Sequence, residues 1–165
     1  MTKPTLVIDA LDLDGLQQLA DSLTHHLPTQ LTLGLVGTLG AGKTTFAQAI
    51  SRAFGIDAAD VTSPTFTLLQ TYHVGDRTLH HLDAYRVADD EEFLELGVEE
   101  LYDEPNAWTL VEWADRVADV VPKETLWIEI MIDSNPDRRR LEFCTSDQTL
   151  ATRLATALRE TTLNG

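Results

Sequence analysis

Two kinds of apolar pattern alternate along the chain. Short apolar runs, which are typical of strands, occur at residues 6–8, 31–36, 108–111, 126–132 and 140–144. Apolar residues at helical spacing follow Asp12, a residue type that caps helices, and they recur at about 147–160. A third helix is predicted over residues 44–54, closed by Gly55. This alternation of strands and helices predicts a single α/β domain over residues 1–165.

Two further segments modify this picture. The β-like runs 66–72 and 78–82 are separated by a short turn that contains Gly75, and they predict a β-hairpin. Residues 89–104 contain many Asp and Glu residues but no Lys or Arg, with apolar residues interleaved, and they predict an acidic surface helix. The expected fold is therefore a mixed, mainly parallel sheet flanked by helices and by one β-hairpin.

Composition narrows the class of protein. The chain has 12 Lys and Arg against 27 Asp and Glu, a formal net charge of −15, which repels phosphate backbones and disfavours direct binding of nucleic acid. Its one cysteine, Cys144, excludes an intramolecular disulfide and suits a reducing compartment. The chain opens without a secretory signal pattern and has no apolar run of membrane-spanning length, so we expect a cytoplasmic protein with no membrane association.

The strongest chemical signal is a phosphate-binding loop. Residues 37–44 read GTLGAGKT, which fits the GxxxxGK[ST] motif, and they lie between a predicted strand and a predicted helix. Backbone N–H groups of such a loop cradle phosphates, and the helix N-terminus adds partial positive charge. The loop residues expected to bind nucleotide are Gly37, Leu39, Gly40, Ala41, Gly42, Lys43, Thr44 and Thr45. The motif predicts a P-loop NTPase fold, and the lack of an NKxD-type sequence disfavours GTP as the ligand.

Side-chain roles follow from the chemistry of a nucleoside triphosphate. Lys43 would reach the β and γ phosphates, the Thr44 hydroxyl would ligate Mg²⁺, and Thr45 could donate to the α phosphate. Magnesium in such sites is also held by a carboxylate at a strand end. Two acids qualify, Asp83 and Glu112, and either could reach the metal directly or through water.

Four segments occur together in an order and spacing that closely resemble the bacterial TsaE (YjeE) family. They are GTLGAGKTT at 37–45, SPTFTL at 63–68, HLDAYR at 81–86 and LVEW at 110–113. The resemblance implies a P-loop ATPase of tRNA threonylcarbamoyladenosine (t6A) biosynthesis. Such a protein docks on a TsaB–TsaD heterodimer, whose TsaD subunit modifies adenosine 37, and ATP hydrolysis resets or licenses that complex. Contact with tRNA would be indirect, through the partner proteins.

The resemblance also assigns residues. Thr44 and Glu112 correspond to the family's Mg²⁺ ligands, and Asp83 to an acid that orients water or supports the metal. Thr65 is a candidate sensor of the γ phosphate, and Arg138 is the nearest match to a basic residue that approaches the nucleotide. The predicted catalytic residues are Lys43, Thr65, Asp83 and Glu112. Thr38 departs from the family, which usually has an acid at this position.

Two other functions remain open on the residues alone. A small-molecule kinase also uses a phosphate-binding loop, and the basic residues 138–140 could then close over the transferred phosphoryl group. A nucleotide-sensing scaffold would bind ATP without useful hydrolysis. The kinase is the weaker hypothesis, because it needs an acceptor pocket and does not explain the joint occurrence of the four segments.

Overall fold

Most helices and strands lie close to where the apolar pattern predicts them. The computed structural model describes residues 6–61 and 66–163. Its strands are β1 (Leu6–Leu11), β2 (Leu31–Val36), β3 (Leu69–Val74), β4 (Arg77–Asp83), β5 (Ala107–Glu112), β6 (Leu126–Ile132) and β7 (Arg139–Cys144). Its α-helices are α1 (Leu13–His26), α2 (Lys43–Ala53), α3 (Asp90–Leu94), α4 (Val98–Tyr102) and α5 (Gln148–Leu163). Two 3-10 segments, Ala58–Asp60 and Ala114–Val120, are additions that apolar spacing does not predict.

The strands form one seven-stranded sheet in the order β1-β7-β6-β2-β5-β4-β3. Its centre is parallel: β2 pairs with β5 and β6, and β4 pairs with β5. Strands β3 and β7 run antiparallel to their neighbours, and β1 pairs antiparallel with β7. The predicted mixed, mainly parallel sheet is confirmed, and β2, which leads into the glycine-rich loop, lies at its centre.

Apolar packing covers both faces of this sheet. On one face α1, α2 and α5 pack over the strands, with Leu19, Leu23 and Phe46 fully buried. On the other face Phe93 and Val98 from α3 and α4 pack against β4 and β5. Strands β2 and β5 are therefore buried along nearly their whole length, which explains their continuous apolar sequences.

The β-hairpin forms with different bounds. Residues 66–68 are a turn, not strand, and Leu68 has a φ of 63°, so β3 begins only at Leu69. The connection between β3 and β4 is the two-residue turn Gly75-Asp76, and Gly75 takes a φ of 61°. A positive φ there suits a tight hairpin connection and is easily adopted by glycine.

The prediction of one acidic helix over residues 89–104 is wrong, because the segment forms two short helices. Asp89 caps α3 by accepting a hydrogen bond from the Glu92 N–H. Gly97 then adopts a left-handed conformation with φ 75°, and its N–H bonds to the Leu94 carbonyl. Left-handed glycine typically ends a helix, so α3 does not continue and α4 begins separately at Val98.

Helices α1 and α5 begin at side-chain caps. The Asp12 side chain accepts a hydrogen bond of 2.8 Å from the Gly15 N–H at the start of α1, as predicted. The Asp147 side chain accepts one from the Leu150 N–H in the first turn of α5, which runs slightly past its predicted end. Among residues 6–61 and 66–163, no helix combines the length and apolar character needed to cross a bilayer.

Candidate nucleotide-binding site

The loop between β2 and α2 has the backbone that its glycines allow. Gly37, Gly40 and Gly42 all have positive φ, at 152°, 82° and 110°. A Cβ on Gly37 would lie only 2.5 Å from the Ile130 carbonyl oxygen, so the close approach of the loop to β6 requires glycine at that position. Helix α2 begins at Lys43, directly after Gly42, so its N-terminus faces the loop.

Lys43 is held inside this loop. Its Nζ donates hydrogen bonds to the carbonyl oxygens of Gly37, at 2.7 Å, and Thr38, at 2.9 Å. The same ammonium group lies 3.8 Å from the centroid of the Trp113 ring, a cation–π contact. Burial lowers the pKa of Lys43 from its ordinary value, while nearby carboxylates, chiefly Glu112, act in the opposite direction.

Thr44 contacts the carboxylate at the end of β5. Its Oγ1 donates a hydrogen bond of 2.8 Å to Glu112 Oε1, and Glu112 Oε2 lies 3.1 Å from His81 Nε2. In the parallel pairing of β4 with β5, the register places Asp83 directly beside Glu112. Asp83 Oδ1 accepts a hydrogen bond of 2.9 Å from the Tyr85 N–H. The strand ends thus bring both predicted acids to the helix that carries Thr44.

An aromatic pair, Trp113 and Tyr85, lies beside Lys43. Trp113 follows Glu112 directly and adopts a left-handed conformation, with φ 58° and ψ 37°. A non-glycine residue with this backbone conformation is uncommon, and such strain clusters at functional sites. The Trp113 ring packs on Tyr85 with 4.8 Å between centroids. Phe66, which is 82% exposed, lies under the Arg86 guanidinium, with 4.8 Å between Cζ and the ring centroid.

The basic residue that contacts the loop is Arg139. Its Nε donates a hydrogen bond of 2.6 Å to the Ala41 carbonyl, and its Nη1 donates to the Pro136 and Arg138 carbonyls. Arg138, the residue predicted to approach the nucleotide, is exposed, and its guanidinium donates to the Ala10 carbonyl at 3.4 Å. The structure therefore places the neighbour of the predicted arginine against the phosphate-binding loop.

The donor set fits magnesium held jointly by protein and phosphate. Within the described part of the chain, no group of three or more His, Cys, Asp or Glu side chains could hold a metal ion. Thr44 and Glu112 nevertheless place a hydroxyl and a carboxylate oxygen 2.8 Å apart. Magnesium characteristically binds one or two protein oxygens and takes its other ligands from water and phosphate.

Comparison with known proteins identifies the family. The family model for the threonylcarbamoyl adenosine biosynthesis protein TsaE matches residues 11–141. The chain belongs to the TsaE family. Among curated members, the TsaE of Bacillus subtilis is 40% identical over 111 residues, which are 67% of each chain. The TsaE of Treponema pallidum is 39% identical over 104 residues, or 63% of this chain and 75% of that protein.

A solved structure extends the similarity to the whole fold. The crystal structure of Bacillus subtilis YdiB superposes with a TM-score of 0.75 at 28% sequence identity, over 96% of this chain and 97% of YdiB. The TsaE of Haemophilus influenzae, 32% identical over 120 residues, covers 73% of both chains. The curated relatives are named as tRNA threonylcarbamoyladenosine biosynthesis proteins.

Most residues predicted for this TsaE-family site converge. Lys43, Thr44, Asp83 and Glu112 lie together at the carboxyl ends of β2, β4 and β5. Leu39 is exposed at the loop tip, and Ala41 is fully buried. Thr45 lines a cavity of about 60 Å³ beside the loop, together with Leu11, Leu13 and Arg139. Thr65 lies outside the described residues.

Sequence reasoning missed three residues that contact the site, namely His81, Trp113 and Arg139. A signal existed for His81, since it lies two residues before Asp83 on the same strand and so faces the same side of the sheet. A signal also existed for Trp113, because it follows Glu112 directly. Arg139 lies in the basic cluster 138–140, but only the pairing of β7 with β6 shows which of these arginines reaches the loop.

Proposed function

We propose that this TsaE-family protein is a magnesium-dependent ATPase that acts in the t6A modification of tRNA adenosine 37, in complex with TsaB and TsaD. Its hydrolysis of ATP resets or licenses that complex. The observation that carries the proposal is the hydrogen bond between Thr44 Oγ1 and Glu112 Oε1 beside the loop that holds Lys43. This arrangement combines a phosphate cradle, a cation and a pair of oxygen ligands for magnesium.

Each group has a role that its surroundings support. The backbone N–H groups of the loop bind the phosphates, and Lys43 exchanges the Gly37 and Thr38 carbonyl oxygens for phosphate oxygens. Thr44 and Glu112 would hold Mg²⁺, which when bound neutralises charge on the β and γ phosphates. Asp83, next to Glu112 in the sheet and 5% exposed, serves to orient the attacking water.

The charge of the chain supports indirect contact with tRNA. A formal net charge of −15 opposes binding to a polyanion, because phosphate contacts need clustered Lys and Arg. Residues 89–104 contribute an acidic surface with no basic residue. We therefore assign tRNA binding to the partner proteins and ATP turnover to this chain.

The test is phosphate release from ATP by the purified protein, alone and with a TsaB–TsaD pair, with Lys43→Ala as the matched variant. We expect slow turnover alone and a clear increase with the pair. We expect the variant to lose turnover by about two orders of magnitude, because a charge-assisted phosphate contact is removed. Circular dichroism checks that the variant is folded.

Three results would contradict the proposal. Unchanged turnover in Lys43→Ala would exclude the assigned site. An absence of stimulation, together with no complex on a sizing column, would exclude the partner-dependent ATPase. Stoichiometric transfer of phosphate to a nucleoside or sugar would instead indicate a small-molecule kinase.

A further inference from the structure

His81 and Glu112 form a buried pair between β4 and β5. Each side chain is 1% exposed, and His81 Nε2 lies 3.1 Å from Glu112 Oε2. The other carboxylate oxygen, Oε1, accepts the hydrogen bond from Thr44 in α2. Both carboxylate oxygens of Glu112 are therefore engaged, one by each neighbouring element. Their partners determine how the carboxylate plane is oriented.

The second ring nitrogen of His81 indicates that packing alone does not explain why a histidine occupies this buried position. His81 Nδ1 is buried and has no hydrogen-bond partner among the described residues. An unpaired buried polar atom is unfavourable, and an apolar side chain of similar size would avoid it. The contact that the ring does make is the one from Nε2 to Glu112. That contact is the specific feature that a leucine at position 81 would lack.

Loss of that contact has a definite geometric consequence. A carboxylate rotates about its last side-chain bond, a torsion with broad minima. With Oε2 unbound, the hydrogen bond between Thr44 and Oε1 would be the remaining restraint on the carboxylate, and its plane could rotate about that single contact. A hydroxyl and a carboxylate can share a magnesium ion only when their oxygens face the same point.

We propose that His81 is a positioning residue that fixes the Glu112 carboxylate so that Glu112 and Thr44 share one magnesium ion. The inference rests on the proposed ATPase function and adds to it a residue that does not itself contact nucleotide or metal. Partners that orient metal ligands commonly affect metal affinity or activity by about 10- to 100-fold.

Three substitutions separate the hydrogen bond from the packing. Gln places an amide N–H near the position of Nε2 and keeps a donor toward Glu112. Asn places its amide near Nδ1, too short to reach Glu112, and Leu has no donor. The matched control is His80→Gln. His80 is also buried, but its Nε2 lies 2.6 Å from Glu104 Oε2, and its Nδ1 lies 2.9 Å from the Thr71 hydroxyl.

The experiment measures binding of a fluorescent ATP analogue across a Mg²⁺ titration, and ATP turnover with TsaB–TsaD. We expect His81→Leu and His81→Asn to raise the half-saturating Mg²⁺ concentration about tenfold and to lower kcat by a similar factor. His81→Gln should keep the half-saturating Mg²⁺ concentration and kcat close to their wild-type values. Affinity for the analogue in EDTA should not change in any of the three variants. His80→Gln should titrate with Mg²⁺ as the wild-type protein does.

The outcomes distinguish this inference from the proposed function. If the wild-type protein has no partner-stimulated turnover, or Lys43→Ala is unaffected, the ATPase proposal fails. If wild type and Lys43→Ala behave as expected but all three His81 variants keep the wild-type Mg²⁺ titration, the positioning role is overturned. Equal loss in all three variants, including Gln, would also overturn it, because the donor would then be irrelevant.

A double variant gives an independent check. In a Glu112→Gln background the carboxylate is gone, so adding His81→Leu should change the Mg²⁺ titration by less than about twofold. An additional tenfold change would mean that His81 acts by a route other than Glu112, contrary to the inference.

Discussion

At the scale of single residues, the site depends on side chains that share a small buried volume. Lys43 is 5% exposed and Glu112 is 1% exposed. Burial is unfavourable for a charged group without partners, and here each charge has several. Lys43 bonds to two loop carbonyls and contacts Trp113, and Glu112 contacts Thr44 and His81. The geometry is therefore preorganised by contacts within the chain.

The close approach of the loop to β6 gives a residue-scale prediction for stability. Gly37→Ala should lower the free energy of unfolding by roughly 1–3 kcal/mol, because a Cβ would meet the Ile130 carbonyl at 2.5 Å and φ is 152°. The matched control is Gly75→Ala. Gly75 also has positive φ, at 61°, but no heavy atom of the described residues beyond its chain neighbours lies within 4 Å of where a Cβ would stand. Urea unfolding compares the two variants.

We expect the larger loss in Gly37→Ala, together with weakened binding of the ATP analogue. Equal losses in the two variants would mean that the backbone around Gly37 shifts freely, and would contradict a tightly packed loop.

At the scale of elements, the acidic residues 89–104 are linked to the sheet by a contact between Glu104 and β4. Glu104 follows α4 and lies 2.6 Å from His80 on β4, the residue before His81. The hydrogen bond from His80 is the largest influence that lowers the pKa of Glu104 below its ordinary value of 4.5. The two short helices are thus tied to a strand that carries Asp83 at its end.

This contact predicts a dependence of stability on pH. A carboxyl group with a lowered pKa in the folded state stabilises the fold above its unfolded pKa, and this contribution is lost as pH falls through the folded value. The wild-type protein should therefore exceed Glu104→Gln in stability at pH 7 and lose that advantage below about pH 4.5. Because the Glu104 side chain is 35% exposed, we expect a difference of only about 0.5–1 kcal/mol.

Thermal unfolding of both proteins from pH 7 to pH 3 measures the effect. An advantage that persists unchanged at pH 3 would contradict an electrostatic origin.

At the scale of the whole molecule, sheet order and charge set what the chain can bind. The parallel strands β6, β2, β5 and β4 point their carboxyl ends the same way, and ligands of open α/β sheets bind at that edge. The strongly acidic chain places the ammonium group of Lys43 in the phosphate-binding loop at this edge. This arrangement supports the proposed binding of a nucleoside triphosphate at this edge and the proposed absence of direct contact with tRNA.

The charge predicts the behaviour of the chain with tRNA. Alone, it should give no detectable retention of tRNA in filter binding at about 0.15 M salt, and it should be recovered with tRNA only when TsaB and TsaD are present. Lowering the salt concentration should not produce binding by the chain alone, because repulsion strengthens as screening weakens. Micromolar binding by the isolated chain would contradict indirect contact.

Local pattern was sufficient for most of the fold. Apolar runs predicted the seven strands, and Asp12 predicted the start of α1, because hydrogen bonds and side-chain spacing within a few residues decide these features. The pattern failed at Gly97, where a left-handed turn divides one predicted acidic helix into two. It also failed at residues 66–68, where Leu68 takes a positive φ and delays the start of β3.

The sequence by itself determined the phosphate-binding loop, the family and the residues Lys43, Thr44, Asp83 and Glu112 as candidates, because motif and strand-end position are local properties. Only the tertiary structure decided that Glu112 bonds to Thr44, that His81 holds the second carboxylate oxygen, and that Arg139 contacts the loop. These contacts join residues far apart in sequence, and they depend on which strands become neighbours in the sheet and on how β7 returns beside β6.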